Sequence, residues 1–329
     1  MTDGDADDET RCLGVAEAVA DRVERRHVAP RAPWRWLAPF GPIDPRDAPD
    51  RAAGPIAPRR GWPDVVVASG RRAAPYLAAV KRASRSRVVT VFLGDSALGA
   101  RAADIVAVGE GSRLSGLNVV RTVSGPHRID AVRLAAARGG DALGPSDARA
   151  RVAVLLGGRS GRAWQEEDAR RLAAGLARLA ADGATVLAAA RREAPAALDL
   201  AAREAAAYLW DRAGPDPRVA LLAHADAVVV AGDDALAVDE AVATGRPVFA
   251  FRPTGLKRAA AAHLDRLAAH GVVRPFAGRL EAYGYAPLHA ASEIGRAVAA
   301  LAATREALRP RNERRAAPLK RETNGPTTR

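Results

Sequence analysis

The sequence predicts an α/β protein made of two Rossmann-like, doubly wound domains that face each other across a cleft. Short apolar runs alternate with amphipathic stretches along most of the chain, which is the order of strands and helices in parallel sheets covered on both faces. A chain of 329 residues is also long enough to bury two separate cores. We expect the N-terminal domain in residues 1–137, a linker in 138–150 and the C-terminal domain in 151–290.

The elements of the first half follow from local patterns. Apolar residues recur at helical spacing after Cys12, which predicts a helix that ends near Arg26. The proline- and arginine-rich stretch 28–60 predicts an irregular surface loop with short turns. Beyond that loop, β-branched runs predict strands and an alanine-rich amphipathic stretch predicts a helix. These elements are a strand at 64–68, a helix at 73–84 and strands at 87–92, 105–108 and 118–123.

The second half begins after residues whose glycine, proline and polar side chains are typical of an interdomain linker. Its apolar runs predict strands at 151–156, 184–189, 208–210, 226–231 and 247–251. The amphipathic stretches between them predict helices at 164–182, 195–206, 217–224, 235–244 and 257–270. A last helix is predicted at 291–308, and the basic, polar residues 309–329 are predicted to be a disordered tail.

A glycine-rich turn follows the strand 151–156. Glycines permit positive φ and let backbone N–H groups approach an anion, while the next helix adds the positive end of its dipole. Two arginines in the turn add full charges, so a diphosphate is the ligand that this pattern favours. The candidate residues are Gly157, Gly158, Arg159, Ser160, Gly161 and Arg162. A purely structural turn explains the same glycines equally well.

An acidic turn, Asp233-Asp234, follows the strand 226–231 and precedes a helix that contains Glu240. The carboxyl edge of a parallel sheet is where open α/β proteins bind ligands. A carboxylate can accept hydrogen bonds from two ribose hydroxyls, so Glu240 is the candidate ribose ligand. The two aspartates are candidates for sugar contacts, although one of them can equally well cap the helix that begins at Ala235.

Further basic and titratable residues lie at other predicted strand ends. Arg191 and Arg192 follow the strand 184–189 and could neutralise the phosphates of a ligand. In the first domain, the candidates for binding a carboxylate or phosphate of a second ligand are Gly70, Arg71, Arg72 and Arg128. His127 is the candidate general base because its ordinary pKa lies near neutrality. Solvated arginines and a structural histidine are the competing explanations.

Composition excludes several classes of function. The formal net charge is +12, but lysine occurs only at Lys81, Lys257 and Lys320, and aromatic residues make up only 4%. An arginine bias with few stacking side chains does not favour nucleic-acid binding, whereas association with anionic lipid headgroups is compatible with it. The single Cys12 excludes a disulfide framework, and no metal or organic cofactor is expected. We expect a cytoplasmic protein, with peripheral association at the inner membrane face as an option.

Several ordered motifs carry a resemblance to a known family. They are TDG…CLGVAEAV (2–19), APRAPWRWLAP (29–39), PDVVVASGRRAAP (63–75), SGPHRI (124–129), VAVLLGGRSGR (152–162), LLAHADAVVVAGDDALAVDEAVATGRPV (221–248) and GVVRPFAGRLEAYGYAPL (271–288). Over nearly its whole length the chain resembles the elongated-mitochondria family of plant mitochondrial fission factors and their bacterial relatives. That family is similar to the GT-B glycosyltransferases.

The resemblance implies a metal-independent hexosyltransferase-type enzyme that binds a nucleotide-diphosphate sugar of the UDP or GDP type in its C-terminal domain. Arg159, Arg162 and the neighbouring amides would stabilise the departing diphosphate, and an unknown acceptor would bind the N-terminal domain. The resemblance also implies that the helix 291–308 packs back on the first domain. The alternative that it suggests is a non-catalytic adaptor, as in plant relatives that recruit a dynamin-like GTPase. An epimerase that uses bound NAD fits less well, since neither glycine turn has the GxxGxxG pattern.

The chain also departs from the family pattern on the acceptor side. Only Met1 and Thr2 precede the Asp3-Gly4 turn, so the first strand of the N-terminal sheet is expected to be nearly missing. Polar family motifs are replaced at Asp95-Ser96-Ala97 and at Glu110-Gly111-Ser112. These losses predict that donor binding survives better than the acceptor site does.

Overall fold

The structure, a computed structural model, describes residues 1–145, 150–157 and 163–308. It contains two parallel sheets, each with helices on both faces, which confirms the predicted α/β class. The first sheet has its strands side by side in chain order: β1 (Val65–Ser69), β2 (Val89–Leu93), β3 (Ile105–Gly109) and β4 (Val119–Thr122). The strands of the second are β5 (Arg151–Leu156), β6 (Thr185–Ala190), β7 (Ala206–Leu209), β8 (Ala227–Ala231), β9 (Val248–Phe251) and β10 (Val273–Pro275).

The second sheet has the spatial order β10-β9-β8-β5-β6-β7. Counted from β5, this is the 3-2-1-4-5-6 order of dinucleotide-binding folds. The direction of winding reverses between β5 and β8, which are hydrogen-bonded neighbours at the centre of the sheet. The fold therefore places its topological switch point between the two strands that the glycine turn and the acidic turn follow.

The α-helices are α1 (Ala6–Val19), α2 (Trp34–Leu37), α3 (Ala73–Ala83), α4 (Ala131–Arg138), α5 (Glu166–Ala181), α6 (Ala196–Arg203), α7 (Arg218–His224), α8 (Ala235–Val242), α9 (Arg258–Ala269) and α10 (Ala290–Leu308). Short 3₁₀ turns occupy Pro45–Asp47 and Gly99–Ala102. Most predicted strands and helices are found within a few residues of their expected bounds.

The prediction for the first helix was wrong at both ends. α1 begins at Ala6 because the Asp5 side chain caps it, accepting hydrogen bonds from the N–H groups of Asp7 (2.9 Å) and Asp8 (3.1 Å). Acidic residues in the first turn also suit the positive end of the helix dipole. The apolar spacing that suggested a start at Cys12 marks only the part of the helix that is buried.

Apart from α2, a single helical turn inside the predicted irregular loop, two elements were not predicted from the sequence, α4 and β10. Asp130 caps α4 by accepting from the N–H of Arg133 at 2.7 Å. The helix packs on α7, and its Leu134 is buried with the core of the second sheet. β10 has only three residues and pairs with β9 at the sheet edge, which is too short a run for an apolar pattern to reveal.

The last helix joins the two halves by returning to the first sheet. α10 packs against α1 and against the face of the sheet that carries Val91 and Ile105. Its Ile294 and Val298 are fully buried there, and each such side chain contributes roughly 1.5–3 kcal/mol through loss of apolar surface from water. The opposite face of the sheet is covered by α3, where Tyr76 and Leu77 are buried.

Met1 and Thr2 lie beside β1, at the edge of the first sheet. The amino group of Met1 donates to the carbonyl of Val67 at 2.7 Å, and the N–H of Ser69 donates to the carbonyl of Met1 at 3.2 Å. On the other side, Thr2 forms a parallel bridge with His27. These two residues thus lie between β1 and the segment that follows α1.

Replacement of Gly14 by alanine should destabilise the protein. Alanine is normally favoured over glycine inside a helix by about 1 kcal/mol. In α1, however, a Cβ at residue 14 would lie 2.1 Å from the backbone carbonyl oxygen of His127, which cannot rotate away. We expect Gly14→Ala to lower the free energy of unfolding by about 2 kcal/mol in urea titrations.

Gly109→Ala is the matched control, because a Cβ at that position meets no atom within 4 Å. It should change stability by no more than about 0.5 kcal/mol. If Gly14→Ala were as stable as the wild type, the close packing of α1 on residue 127 would be wrong.

Candidate functional site

Three loops meet at the carboxyl edge of the second sheet, after β5, β6 and β8. The loop after β5 begins at Gly157, whose φ is +76° and whose Cβ position lies 2.6 Å from Leu198 Cδ1, so only glycine fits. The other predicted diphosphate residues, Gly158, Arg159, Ser160, Gly161 and Arg162, lie outside the described residues. The described part of the site is therefore formed mainly by the residues that follow β6 and β8 and by the side chains that contact them.

The two aspartates of the acidic turn have different partners. Asp234 is buried and caps α8, accepting from the N–H of Ala237 at 3.1 Å. Asp233 accepts a hydrogen bond from the indole N–H of Trp164 at 2.9 Å. Trp164 itself stacks on Phe251, with ring centroids 5.3 Å apart. Asp233 thus fixes the start of the chain segment that leads into α5, and Asp234 fixes the start of α8.

Only one arginine of the predicted pair faces this edge. Arg191 donates through Nη1 to both carboxylate oxygens of Asp234 at 3.2 Å, and through Nη2 to Asp7 at 2.6 Å. Arg192 instead donates to the carbonyls of Arg212 and Gly214 and lies over the ring of Trp210. Arg192 stabilises the loop after β7, whereas Arg191 stands at the switch point with 11% of its side chain exposed.

Glu240 forms a buried ion pair within the second half. Its side chain is 7% exposed, and Oε2 accepts a hydrogen bond from Arg218 Nη1 at 2.8 Å. Burial raises the pKa of Glu240, and the Arg218 guanidinium acts in the opposite direction by favouring the carboxylate. Among the described residues, Oε1 carries no hydrogen bond. One carboxylate oxygen is therefore available to accept from a ligand.

The edge is closed in this conformation. The described residues leave a cavity of about 10 Å³ between Arg191, Arg218 and Asp234. That volume holds no more than one water molecule, and a nucleotide needs some hundreds of Å³. The closing contact comes from the first half, because Asp7 lies in the first turn of α1 and reaches across to Arg191.

Other contacts also cross between the halves. Asp239, on α8, is buried and accepts from the backbone of Gly125 and from His263 Nε2 at 2.9 Å. Burial opposes its ionisation, but these hydrogen bonds hold the pKa of Asp239 below its usual value. A Cβ at Gly125 would lie 2.4 Å from the Asp239 carboxylate, so the approach requires glycine. Glu110 and His270 form a second, exposed bridge at 2.7 Å.

The acceptor-side candidates near β1 serve the local structure. Arg71 donates to the carbonyl oxygens of Ala38 and Trp36, at 2.6 and 3.2 Å. Gly70 has a φ of +95° and leaves room for the Asp3 carboxylate, which also accepts from the N–H of Arg72 at 3.4 Å. The Arg72 side chain is exposed. Between the two arginines, the Arg71 side chain is engaged in hydrogen bonds, whereas the Arg72 side chain makes none to the described part of the chain.

His127 and Arg128 lie away from Arg191, at the junction of α1 and α10. His127 is 2% exposed, and Nδ1 accepts the N–H of Ile129 at 3.1 Å, so the ring proton resides on Nε2. Burial lowers the pKa of His127 to about 4. Arg128 forms two hydrogen bonds to Glu17, at 2.6 and 3.0 Å. A cavity of about 330 Å³ adjoins both residues, but it does not open onto the switch point.

The sequence did not reveal three residues that complete the site: Asp7, Arg218 and Trp164. Arg218 is one of many arginines and begins a short helix, so nothing in its local pattern marks it as the partner of Glu240. Asp7 is 184 positions from Arg191, and helix-start acids are common for reasons of capping alone. Of these three residues, only Trp164 had a signal in the sequence, because it lies between the glycine turn and the helix that follows.

Two further findings concern the described residues as a whole. They contain no group of three or more histidine, cysteine or acidic side chains arranged to hold a metal ion. None of the described helices combines the length and apolar composition that a membrane crossing requires.

The chain is similar to a known protein family. The family model described as mitochondrial fission ELM1 matches residues 6–301. A curated relative, the mitochondrial fission protein ELM1 of Arabidopsis thaliana, is 36% identical over 100 residues, which are 28% of this chain and 23% of the relative. The match thus spans less than a quarter of that relative's length.

Solved structures with a similar chain path have low sequence identity. A Listeria monocytogenes protein assigned as a UDP-N-acetylglucosamine 2-epimerase is 12% identical, with a TM-score of 0.49 and coverage of 75% of this chain and 76% of that one. The ADP-heptose LPS heptosyltransferase II of E. coli is 14% identical, with a TM-score of 0.40 and coverage of 74% and 77%. UGT89C1 of Arabidopsis thaliana, solved with UDP, is 12% identical, with a TM-score of 0.42 and coverage of 74% and 72%.

The buried His127 should make stability depend on pH in a defined window. The folded-state pKa of about 4 lies below the unfolded value of 6.5, so the unfolded chain binds an extra proton between these values. The stability contributed by neutral His127 is present above pH 6.5 and is lost as the pH falls toward 4. The full loss should be roughly 3 kcal/mol in urea unfolding at a series of pH values.

His127→Gln should flatten this part of the curve. Asp239, Asp130 and His289 interact electrostatically with residue 127 and are present in both proteins, so the difference between the two curves isolates the histidine. Parallel curves for the two proteins between pH 6.5 and pH 4 would contradict the burial of a neutral imidazole at this position.

Proposed function

This chain belongs to the mitochondrial fission ELM1 family, and from that membership and the geometry of its second sheet we propose that it binds a nucleotide-diphosphate sugar of the UDP or GDP type. The observation that carries the proposal is a cluster of charged side chains at the switch point between β5 and β8. Arg191, Asp234, Arg218 and Glu240 converge there and are largely withdrawn from water. The cluster lies where open α/β sheets bind ligands.

Burial of four charges is costly for a fold that does not need them. Each buried ion loses several kcal/mol of hydration, which its partner only partly restores. A hydrophobic cluster of similar volume would be at least as stable at this position. The charges therefore favour a binding role, since a guanidinium can bind a diphosphate and the remaining oxygen of a carboxylate can accept from a ribose hydroxyl.

The proposed roles follow from the contacts of each side chain. Arg191, released from Asp7, would pair with the diphosphate in the bidentate geometry that guanidinium groups form with phosphate oxygens. Glu240 would accept a ribose hydroxyl at Oε1 while Arg218 keeps Oε2 and the charge in place. Asp234 would hold both α8 and Arg191. The residues Gly157 to Arg162 would complete the phosphate site.

Donor binding is proposed ahead of sugar transfer. A transferase needs groups that hold an acceptor and receive its proton, and the residues expected for this purpose have other contacts. Arg71 stabilises a turn, Arg128 pairs with Glu17, and His127 is buried at another junction. Transfer by a GT-B glycosyltransferase mechanism is the finer proposal, and a non-catalytic adaptor is the competing one. In this conformation Asp7 pairs with Arg191, so a diphosphate would have to displace the Asp7 carboxylate.

Nucleotide binding is tested by thermal unfolding of the full chain with UDP, GDP, CDP and TDP and with their sugars. A nucleotide present at 100 times its dissociation constant should stabilise the protein by about 2.7 kcal/mol. Glu240→Gln removes the charge but keeps the side-chain shape, and should weaken binding by at least about tenfold because hydrogen bonds to charged groups are the stronger ones.

Glu281→Gln is the matched control, since Glu281 is an exposed acid of the same half, paired with Arg274. It should retain the wild-type response. If no nucleotide stabilises the wild type, the donor-site proposal fails and the adaptor remains. If one does, production of free sugar or of a glycosylated acceptor distinguishes an enzyme from a binding protein.

The contact between Asp7 and Arg191 should compete with the nucleotide. A partly buried ion pair of this kind is worth about 1 kcal/mol, so Asp7→Asn should raise nucleotide affinity by about fivefold in calorimetric titrations. Glu110→Gln breaks the other bridge between the halves, to His270, without touching Arg191. An equal gain in both variants would show that general loosening, rather than release of Arg191, is responsible.

A further inference from the structure

A turn in the first half exposes three large apolar side chains within five consecutive residues, 36–40. In the residues 34–41, which we call the aromatic turn, Trp36 is 64% exposed, Leu37 47% and Phe40 73%. The other large apolar side chains exposed in the described part of the chain are single residues on separate elements, Leu117, Val132 and Leu200. Isolated exposed residues of that kind are ordinary, whereas a cluster that contains two aromatic rings marks an interaction surface.

The aromatic turn is held in this shape by the rest of the protein. Arg71 donates to the carbonyls of Ala38 and Trp36, and Ala38 is buried. The N–H of Gly41 donates to the carbonyl of Leu37 at 2.8 Å, and a Cβ at residue 41 would lie 2.3 Å from Leu37 Cβ. The backbone that carries the exposed rings is therefore held in place by Arg71 and by the hydrogen bond within the turn.

The charge of the aromatic turn is positive. Arg35, inside the turn, is exposed, and its guanidinium lies 5.0 Å from the centre of the Trp36 ring. Arg71 brings a second positive charge, because it donates to two carbonyl oxygens of the turn. Arg31 precedes the turn and pairs with the buried Asp44 at 3.1 Å. Aromatic rings with adjacent arginines are the combination that suits the boundary between acyl chains and phosphate headgroups.

We propose that the aromatic turn docks the protein on the surface of an anionic lipid bilayer. Trp36, Leu37 and Phe40 enter the headgroup region, and Arg35 contacts a lipid phosphate. A fluid headgroup layer accommodates exposed rings without the shape complementarity that a folded partner requires. The positive charge complements anionic lipid and adds roughly 1 kcal/mol for each basic residue near the surface.

The position of the aromatic turn connects docking with the candidate site. Arg71 follows the carboxyl end of β1, so the turn lies at the edge of the first sheet that belongs to the acceptor side of the cleft. A bilayer at this position would present acceptors that carry a lipid anchor. This consequence rests on the proposed donor site, whereas docking itself does not.

Docking is tested by co-sedimentation of the full chain with vesicles of pure phosphatidylcholine and of phosphatidylcholine mixed with phosphatidylglycerol. We expect binding to the mixed vesicles that weakens as salt is added. The double variant Trp36→Ser and Phe40→Ser should bind at least about tenfold more weakly, because it loses both rings that enter the headgroup region.

Leu117→Ser is the matched control. Leu117 is fully exposed and precedes β4, at the opposite edge of the same sheet, so this variant loses an exposed apolar side chain away from the turn. It should bind vesicles like the wild type. The basic residues 309–329 are present in all variants, so the difference between the variants reports the turn alone.

Three outcomes would overturn the proposal. The first is wild-type protein that does not bind the mixed vesicles, and the second is a double variant that binds as well as the control. The third is a dimer in analytical ultracentrifugation that the double variant abolishes while vesicle binding stays unchanged, which would make the turn a contact between copies of the chain. Nucleotide stabilisation is measured separately, so failure of docking leaves the donor-site test unaffected.

Discussion

The burial of Arg191 between Asp234 and Asp7 is the interaction on which the candidate site depends. Asp234 belongs to the second half and also caps α8, whereas Asp7 belongs to the first turn of α1 in the first half. One guanidinium therefore fixes a helix start and holds the two sheets together at their carboxyl edges. Because the same guanidinium stands where a phosphate is expected, ligand binding at this edge would exchange one anionic partner, the Asp7 carboxylate, for another. The Arg191 guanidinium can thus pair either with Asp7, as in this structure, or with the diphosphate of the proposed ligand.

The arginine-rich composition has a structural use that is visible in the loops. Arg71, Arg121 and Arg192 each donate to two backbone carbonyl oxygens of other segments, and Arg138 donates to the carbonyl of Ala223 in the last turn of α7. Irregular segments have carbonyls that no helix or sheet satisfies, and a planar guanidinium with five donors can satisfy two of them at once. Much of the positive charge consequently stabilises loops instead of forming a surface for polyanions. Arg35 of the aromatic turn differs, because its guanidinium is exposed to solvent and lies over the ring of Trp36.

The two halves differ in their sheets and in the contacts of their candidate residues. The second sheet has six strands in the order of dinucleotide-binding folds, with its switch point between β5 and β8. The first sheet has four strands, and α1 and α10 cover one of its faces. Charged side chains converge at the switch point of the second sheet, whereas Arg71, Arg128 and His127 of the first half have structural contacts.

The sequence by itself determined the α/β class, the positions of most strands and helices, and the two loops at the switch point. These features depend on local patterns: apolar runs set the strands, helical spacing sets the helices, and the glycine and acidic turns stand directly after their strands. Capping moved the start of α1, and the short β10 carried no pattern long enough to detect. Only the tertiary structure decided which charged residues meet. Glu240 pairs with Arg218, Arg191 pairs with Asp7, Arg192 turns away to a loop, and His127 is buried at another junction. Such pairings join residues far apart in the chain, and in a sequence with so many arginines no local feature distinguishes the one that will be buried against a given carboxylate.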